Sequence, residues 1–490
     1  MAFQTKRLLF LLLHIYVGNC APNPGPVANR GLPTVKNATE TEVKQGWTSQ
    51  PSGRGTFDII WSCGFTMFLC SWSVLCLNVP EQGDTRFRIF RRKLYVTALA
   101  FLGPEFIFQI ALGQYISARR SVKDFHASGY SRWTLTHAFY ADMGGFILQT
   151  RGWTPFPIDA KQLHYLVTEH YVEFPKLEKK GIADKNKVDG LLRIITLFQI
   201  LWFVINMAGR AAQHLEITAG ELTTAAFIVC SIGTTVVWLQ KPADVSMPEI
   251  IECSSSMAEI LVKAGESASQ PYSRTPLDFV SRKEWPWSLY WSNWINIIRH
   301  MGIVFGPPTR PVNRFENTIS LEVEGPMKWV MFAMAAAYTG TFVCGWNYNF
   351  PTRTELMLWR AASGTMCATL VVYLAITEVA FNLYPRIRKH LTASRNNAHE
   401  VECIRTTEAA HKCGYLVSKA KAIAARIRNN SVSKDPQLTV PLRAILPIYI
   451  VGVFYCHART YVFVGDIIQL RSLPASAYIS VDWIGFIPHF

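Results

Sequence analysis

The sequence predicts an all-α fold, a polytopic transmembrane helix bundle of about seven spans (roughly six to eight) with amphipathic helices in its loops. Three observations carry that expectation. Several apolar runs are long enough to cross a hydrocarbon core, which takes about 20 residues of helix. Only 17% of the 490 residues are charged, whereas 29 Phe, 18 Tyr and 15 Trp make the chain rich in aromatic side chains. The formal charge of +15 gathers beside the apolar runs, as juxtamembrane Lys and Arg do, so membrane lipid is the expected partner and nucleic acid is not.

Residues 1–20 read as a signal peptide: Lys6 and Arg7 precede an apolar core, and Gly18, Asn19 and Cys20 follow it. An uncleaved anchor is the alternative. Residues 21–56 are rich in Pro, Gly and Thr and read as a disordered luminal tail, in which Asn37 of "NAT" is a glycosylation acceptor. The bundle and its loops fill 57–470. Span A is "FDIIWSCGFTMFLCSWSVLCLNV" (57–79), and the basic "PEQGDTRFRIFRRK" after it fits a cytoplasmic loop. Span B, "YVTALAFLGPEFIFQIALGQYISARR", runs from Tyr95 to Arg120 and carries Gly103, Pro104 and Glu105 near its middle.

A polar loop, 118–190, follows and contains the less polar "WTLTHAFYADMGGFILQ". Spans C (191–213) and D (215–240) are joined by a tight turn, and Lys241 and Pro242 stop the second. The loop 241–327 holds "WPWSLYWSNWINIIRHMGIVFG", the pattern of an interfacial helix. Spans E (328–346) and F (356–383) form a hairpin through "NYNFPTRTE". The loop 384–441 is strongly basic, with eleven Lys/Arg against three Asp/Glu from Arg386 to Lys434 and an amphipathic helix around 410–427. Span G (442–470) contains Pro447, and 471–490 form an aromatic tail at the interface.

Charge and topology conflict at span B. If all seven runs cross once from a luminal tail, Arg119, Arg120, Lys123 and the basic loop become luminal, against the preference of positive charge for the cytoplasm. Re-entry or an interfacial position of span B removes the conflict. A crossing by Trp133–Gln149 removes most of it, and so does an N-terminus kept in the cytoplasm with no cleaved signal, at the cost of a luminal "RFRIFRRK"; seven plain crossings from a luminal tail keep it. These schemes stay open.

Glu105 is the sharpest single candidate for a site. A carboxylate within a span is costly unless paired, neutral or wetted, and Pro104 loosens the helix just before it. Gln109 lies four residues on and shares its face. In span C, Gln199, Asn206 and Arg210 fall on one helical face, and Arg210 joins Gln213, His214, Glu216 and Glu221 around the turn. That set reads either as helix packing or as the wall of a polar cavity for a small-molecule or ion ligand, with Arg210 paired to Glu216 or to an anionic ligand. Span G adds Cys456, His457, Arg459 and Asp466, with Glu378 a partner for Arg459 or Lys328 across the bundle. The candidate cavity is therefore Glu105, Gln109, Gln199, Asn206, Arg210 and His457. No catalytic residue is assigned, and the eleven cysteines form no CxxC pair, so no metal or cofactor is expected.

"RGTFDIIWSCGFTMFLCSWSVLCLNVP", "THAFYADMGGF", "NFPTRTELMLW" and the terminal "RSLPASAYISVDWIGFIPHF" together resemble a widespread, functionally uncharacterised family of fungal polytopic integral membrane proteins. The resemblance covers most of Arg54–Phe490. It implies a fungal source and membrane embedding, and it supplies no reaction or substrate. The expected function is that of an integral membrane protein of the secretory pathway, at the plasma membrane or an endomembrane, transporting a small molecule or ion. A seven-span receptor or sensor, or a membrane scaffold, is the alternative.

Overall fold

A computed structural model describes residues 43–49, 54–177, 181–182, 190–243, 245, 247–269, 272, 274–281, 310–317, 323, 325–379, 383, 386–387, 418 and 442–483. The expected signal peptide, Asn37, the aromatic-rich segment after Glu284, nearly all of the basic loop and the last seven residues lie outside them.

The fold is mixed α/β, which corrects the all-α expectation. In chain order the elements are β1 (Val43–Gln45), α1 (Thr56–Trp72), α2 (Arg86–Leu102), α3 (Pro104–Ala127), α4 (Leu135–Asp142), β2 (Phe146–Arg151) and β3 (Phe156–Ile158). Then come α5 (Ala160–Thr168), α6 (Gly190–Ala212), α7 (Ala219–Val237), β4 (Glu249–Ser256), α8 (Met257–Ala264) and the single turn α9 (Asp278–Ser281). The last are α10 (Met327–Val343), α11 (Arg353–Glu378), α12 (Leu442–Gln469) and β5 (Ser472–Pro474).

The stretches expected as loops 118–190 and 241–327 supply most of a head domain. Its sheet has the order β3-β2-β4. The β2–β3 pair is an antiparallel hairpin turning at Gly152, whose φ of +74° favours glycine. β4 pairs with β2 in parallel, Phe146 opposite Glu249, although α6 and α7 intervene in sequence. Phe125, Trp133, Phe146, Leu148 and Phe156 are fully enclosed beneath the sheet. Capping boxes start the flanking helices, Thr134 with His137 for α4 and Asp159 with Gln162 for α5. "WTLTHAFYADMGGFILQ" is thus α4 and β2 inside the head, which removes the additional crossing considered for it.

The remaining helices pack around α7. Leu222, Ala226 and Cys230 on one side of α7 meet Tyr338, Phe342, Trp359 and Val462, and Phe227 and Ile228 on another meet Ile59, Cys63 and Met67. The outward faces stay apolar: Leu197, Phe198 and Trp202 on α6, Val371 on α11, and Phe454 and Ile467 on α12 are exposed. Such contiguous apolar surface suits contact with lipid. Four helical segments are long and apolar enough to cross a membrane, Ile194–Ala212, Ala219–Val237, Arg353–Ile376 and Pro447–Gln469. The α2–α3 pair, bent by 112°, adds a fifth at most. α1 and α10 have only 17 residues each, about 25 Å of helix at 1.5 Å per residue. Span A ends early because Leu75, Cys76, Leu77 and Val79 leave α1 to join the head core. The bundle of about seven spans is therefore corrected as well.

The end of the bundle away from the head is closed by the two ends of the described chain. β1 pairs antiparallel with β5, Val43 opposite Pro474.

Candidate functional site

The site is built where span B was expected to run straight. Pro104 has no N–H to continue α2, and it opens α3 at the first helical position, where its fixed φ suits a helix start. Gly103 occupies the elbow because the Phe106 ring lies against it; a Cβ there would stand 2.4 Å from Phe106 Cδ2. Glu105 follows in the first turn of α3, the end of a helix that favours a carboxylate. The tip of the elbow faces the middle of α12.

Tyr455 donates a hydrogen bond from its hydroxyl to Glu105 Oε1. One turn along α12, Arg459 donates from Nε to the Leu102 carbonyl at 3.3 Å, the end of α2. Its guanidinium lies among four rings, 4.2 Å from the centroid of Phe463 and 5.2–5.4 Å from those of Phe227, Phe342 and Tyr338. Arg459 acts electrostatically on both Glu105 and Asp466. Asp466 Oδ1 in turn accepts from Thr223 Oγ1 at 3.0 Å.

The cluster is incompletely paired. Glu105 Oε2, Arg459 Nη1 and Nη2, and the hydroxyl of Tyr338 are sealed from solvent and have no hydrogen-bond partner among the described residues. Tyr338 adjoins Glu105 but falls short of hydrogen-bond geometry. Beneath the elbow is a cavity of about 10 Å³ lined by Cys70, Ser71, Pro104, Ile107, Cys230 and Ser231 among others. A single water needs roughly 10–15 Å³ of such space, and the unpartnered Ser71 hydroxyl is a polar contact for one.

The other sequence candidates do not converge here. Gln109, one turn after Glu105, is half-buried on α3. Gln199 donates to Thr66 Oγ1 at 2.9 Å and joins α6 to α1. Asn206 returns its amide to the Trp202 carbonyl of its own helix at 2.9 Å. His457 is exposed on α12, and its Nδ1 lies 2.8 Å from the Val453 carbonyl.

Arg210 is buried at the end of the bundle away from the head. It donates to the carbonyls of Glu216, Ser476, Ala477 and Ile479 at 2.6–3.2 Å, tying the C-terminal segment to the α6–α7 turn. Its contact with Glu216 is to the backbone, and the nearer carboxylate is Glu221 at 3.9 Å, which also pairs with Arg54 at 2.5 Å. Asp466, Tyr455 and Thr223 were not among the expected cavity residues. The spacing of Tyr455, Arg459 and Asp466, four and seven residues apart, places them along one face of α12 and is the signal that finds them.

A second buried charge lies at the junction of bundle and head. Lys241, just past α7, donates from Nζ to the Cys76 carbonyl and to Gln114 Oε1, both at 2.8 Å, and sits 4.4 Å from the Trp238 ring centroid. Burial pulls its ammonium down to about 8 from 10.5. Asp142, at the end of α4, accepts from the Ala160 amide at 3.1 Å, and its Oδ2 has no partner among the described residues. Burial, reinforced by the neighbouring Asp159, pushes its carboxyl up to about 7.

No curated protein and no solved structure matches the chain. Residues 30–269, which span the elbow, most of the head and α6 and α7, match the model of a family of unknown function (DUF8562).

Proposed function

We propose that the chain is a membrane transporter of a small molecule or ion, and that the Glu105–Arg459–Asp466 cluster takes up and releases one proton as it works. The observation that supports this is two carboxylates within electrostatic reach of one guanidinium among apolar helices, at a break in one of them. Arginine stays protonated, so one carboxylate balances it and the second leaves a surplus negative charge. Surplus charge in such surroundings is costly, and a proton on either carboxylate removes it. Broken helices and midplane carboxylates are recurrent features of transport sites. Glu105, at the elbow tip with Oε2 unpartnered among the described residues, is the group assigned to carry the proton.

The test is the full chain reconstituted in vesicles containing a pH-sensitive dye, under an imposed pH gradient with potassium and valinomycin clamping the voltage. Protein-dependent proton flux is expected, and Glu105→Gln is expected to abolish it while the protein still folds. Equal flux through Glu105→Gln would remove Glu105 from the role.

A further inference from the structure

The segment expected as a basic loop after span A is the first half of α2, and its surface is divided. Phe87, Phe90, Leu94 and Leu102 are 69, 52, 51 and 59% exposed, and with Ala98 they recur every three or four residues along the helix. This is an apolar stripe facing away from the rest of the protein. Around its start stand Arg86, Arg88 and Arg91, all exposed. Arg92 is committed to the enclosed carboxylate of Asp84, which the still exposed Arg88 also approaches at 3.9 Å, and Lys93 lies over the Trp72 ring at 4.9 Å.

The first turn of α2 contains no acidic residue. Arginines at a helix N-terminus oppose the helix dipole, so they add to its positive end and make that end attractive to an external anion. The stripe also continues onto α1, because Phe90 lies 5.9 Å from Trp72, which stacks on Phe68 at 5.7 Å.

The two outer ends of the α2–α3 pair sit with the head. Before α2, Val79 donates to the Met143 carbonyl at 3.0 Å, and at the end of α3 Phe125 stacks on Trp133 at 4.2 Å. The tip between them rests on Tyr455 and Arg459. A bend of 112° turns the chain back towards the side it came from.

We propose that α2 enters the head-side leaflet, that α3 returns to the same side, and that Arg86, Arg88 and Arg91 bind the headgroups of anionic phospholipid there. Phe87, Phe90 and Leu94 lie beside the acyl chains of the same lipids, and the stripe descends with α2 to the elbow. Charge complementarity selects the anionic headgroup, and the apolar stripe selects a lipid over a free phosphate.

The full chain is reconstituted in nanodiscs of equimolar phosphatidylcholine and phosphatidylserine, and the lipids it retains are counted as they are stripped by detergent. The wild type is expected to retain phosphatidylserine preferentially. Arg86→Gln/Arg88→Gln/Arg91→Gln is expected to reduce that preference about tenfold or more, and the triple Lys variant to keep most of it. Arg132→Gln in the head is expected to change nothing. A wild type with no preference overturns the proposal whether or not the variants fold, and so does an undiminished preference in the Gln variant. For the elbow, Gln82→Cys and Ser128→Cys variants are labelled with an impermeant maleimide and read by peptide mapping. Both should label from one side, and labelling from opposite sides overturns the return of α3.

Discussion

Lys241 and Arg459 are both buried cations, and the molecule treats them differently. The ammonium at the head junction has two close oxygen acceptors and a ring face. The guanidinium among the apolar helices has one carbonyl, four ring faces and two nitrogens without an acceptor among the described residues. Complete pairing of buried polar groups is the rule, so the exception is informative. At the junction the cation ties together Cys76 before α2, Gln114 on α3 and the end of α7. In the bundle the cation is held by the Leu102 carbonyl and the ring faces, within electrostatic reach of two carboxylates, and its incomplete pairing leaves room for a change in protonation or hydration.

The largest effect should come from breaking the bundle cation. Arg459→Leu leaves Glu105 and Asp466 without their counter-charge, and removing one member of a buried ionic set typically costs about 3–5 kcal/mol. Combining it with Glu105→Gln should recover a measurable part of that loss, because the two residues share one interaction. Thermal unfolding in detergent reads both, and strict additivity of the two changes would break the pairing. Next comes Arg210→Ala, expected to cost about 2–4 kcal/mol as charge-assisted bonds to four carbonyls are lost. Limited proteolysis should then release the segment after Leu473, while α12 itself stays protected. A C-terminal segment that stays resistant would show that β1–β5 pairing alone holds it.

The head sharpens the contrast through pH. Lys241 titrates near 8 when folded against 10.5 when unfolded, so the unfolded chain holds more protons between those values. Stability should therefore rise as pH climbs from about 8 towards 10.5, by at most about 1.4 kcal/mol per pH unit. Asp142 has the opposite sign. Its folded value near 7 exceeds the ordinary 3.8, so the folded chain holds the extra proton and stability should fall as pH rises between them. Asp142→Asn keeps an oxygen for the Ala160 amide and should stabilise the head by about 1–3 kcal/mol at pH 8, with little change at pH 4. Hydrogen exchange of β2 and α5 across that range reads the effect locally. Equal effects at both pH values would remove the titration from the account.

The helices around α7 were legible from their apolar runs, and the structure adds the caps that start them, such as Thr218 with Glu221 and Thr352 with Glu355. The break at Gly103–Pro104 was legible too, because proline acts locally on the chain. The head was not. Its strands are three to eight residues long, shorter than a hydropathy window, and its parallel pair joins Phe146 to Glu249 across α6 and α7. Nothing local to "FILQTR" or "EIIECSSS" announces the other. The site was half visible: Glu105 and Arg459 each stood out as ionisable groups in apolar runs. Their proximity depends on how α12 packs on the elbow, and one sequence holds no record of that. Arg210 shows the reverse error, since its partners are backbone carbonyls, which carry no side-chain signature.

The smallest expected effect tests whether a polar residue on an apolar helix matters by its identity or by its face. His457 lies on the same helix as Arg459 and only two residues before it, but it points outward, with its ring near the Val453 carbonyl one turn back. A polar group bonded along its own helix contributes little to tertiary packing. His457→Leu should therefore change stability by no more than about 0.5 kcal/mol in either direction, as for other outward substitutions. It should also leave the proton flux assigned to Glu105 intact. Proton flux is the sharper of the two measurements, because a lipid-facing leucine stabilises a helix for reasons unrelated to any site. Loss of flux in His457→Leu would mean that the proton route runs along the outer face of α12. The contrast between a satisfied junction and an underpaired bundle core would then rest on the wrong side of that helix.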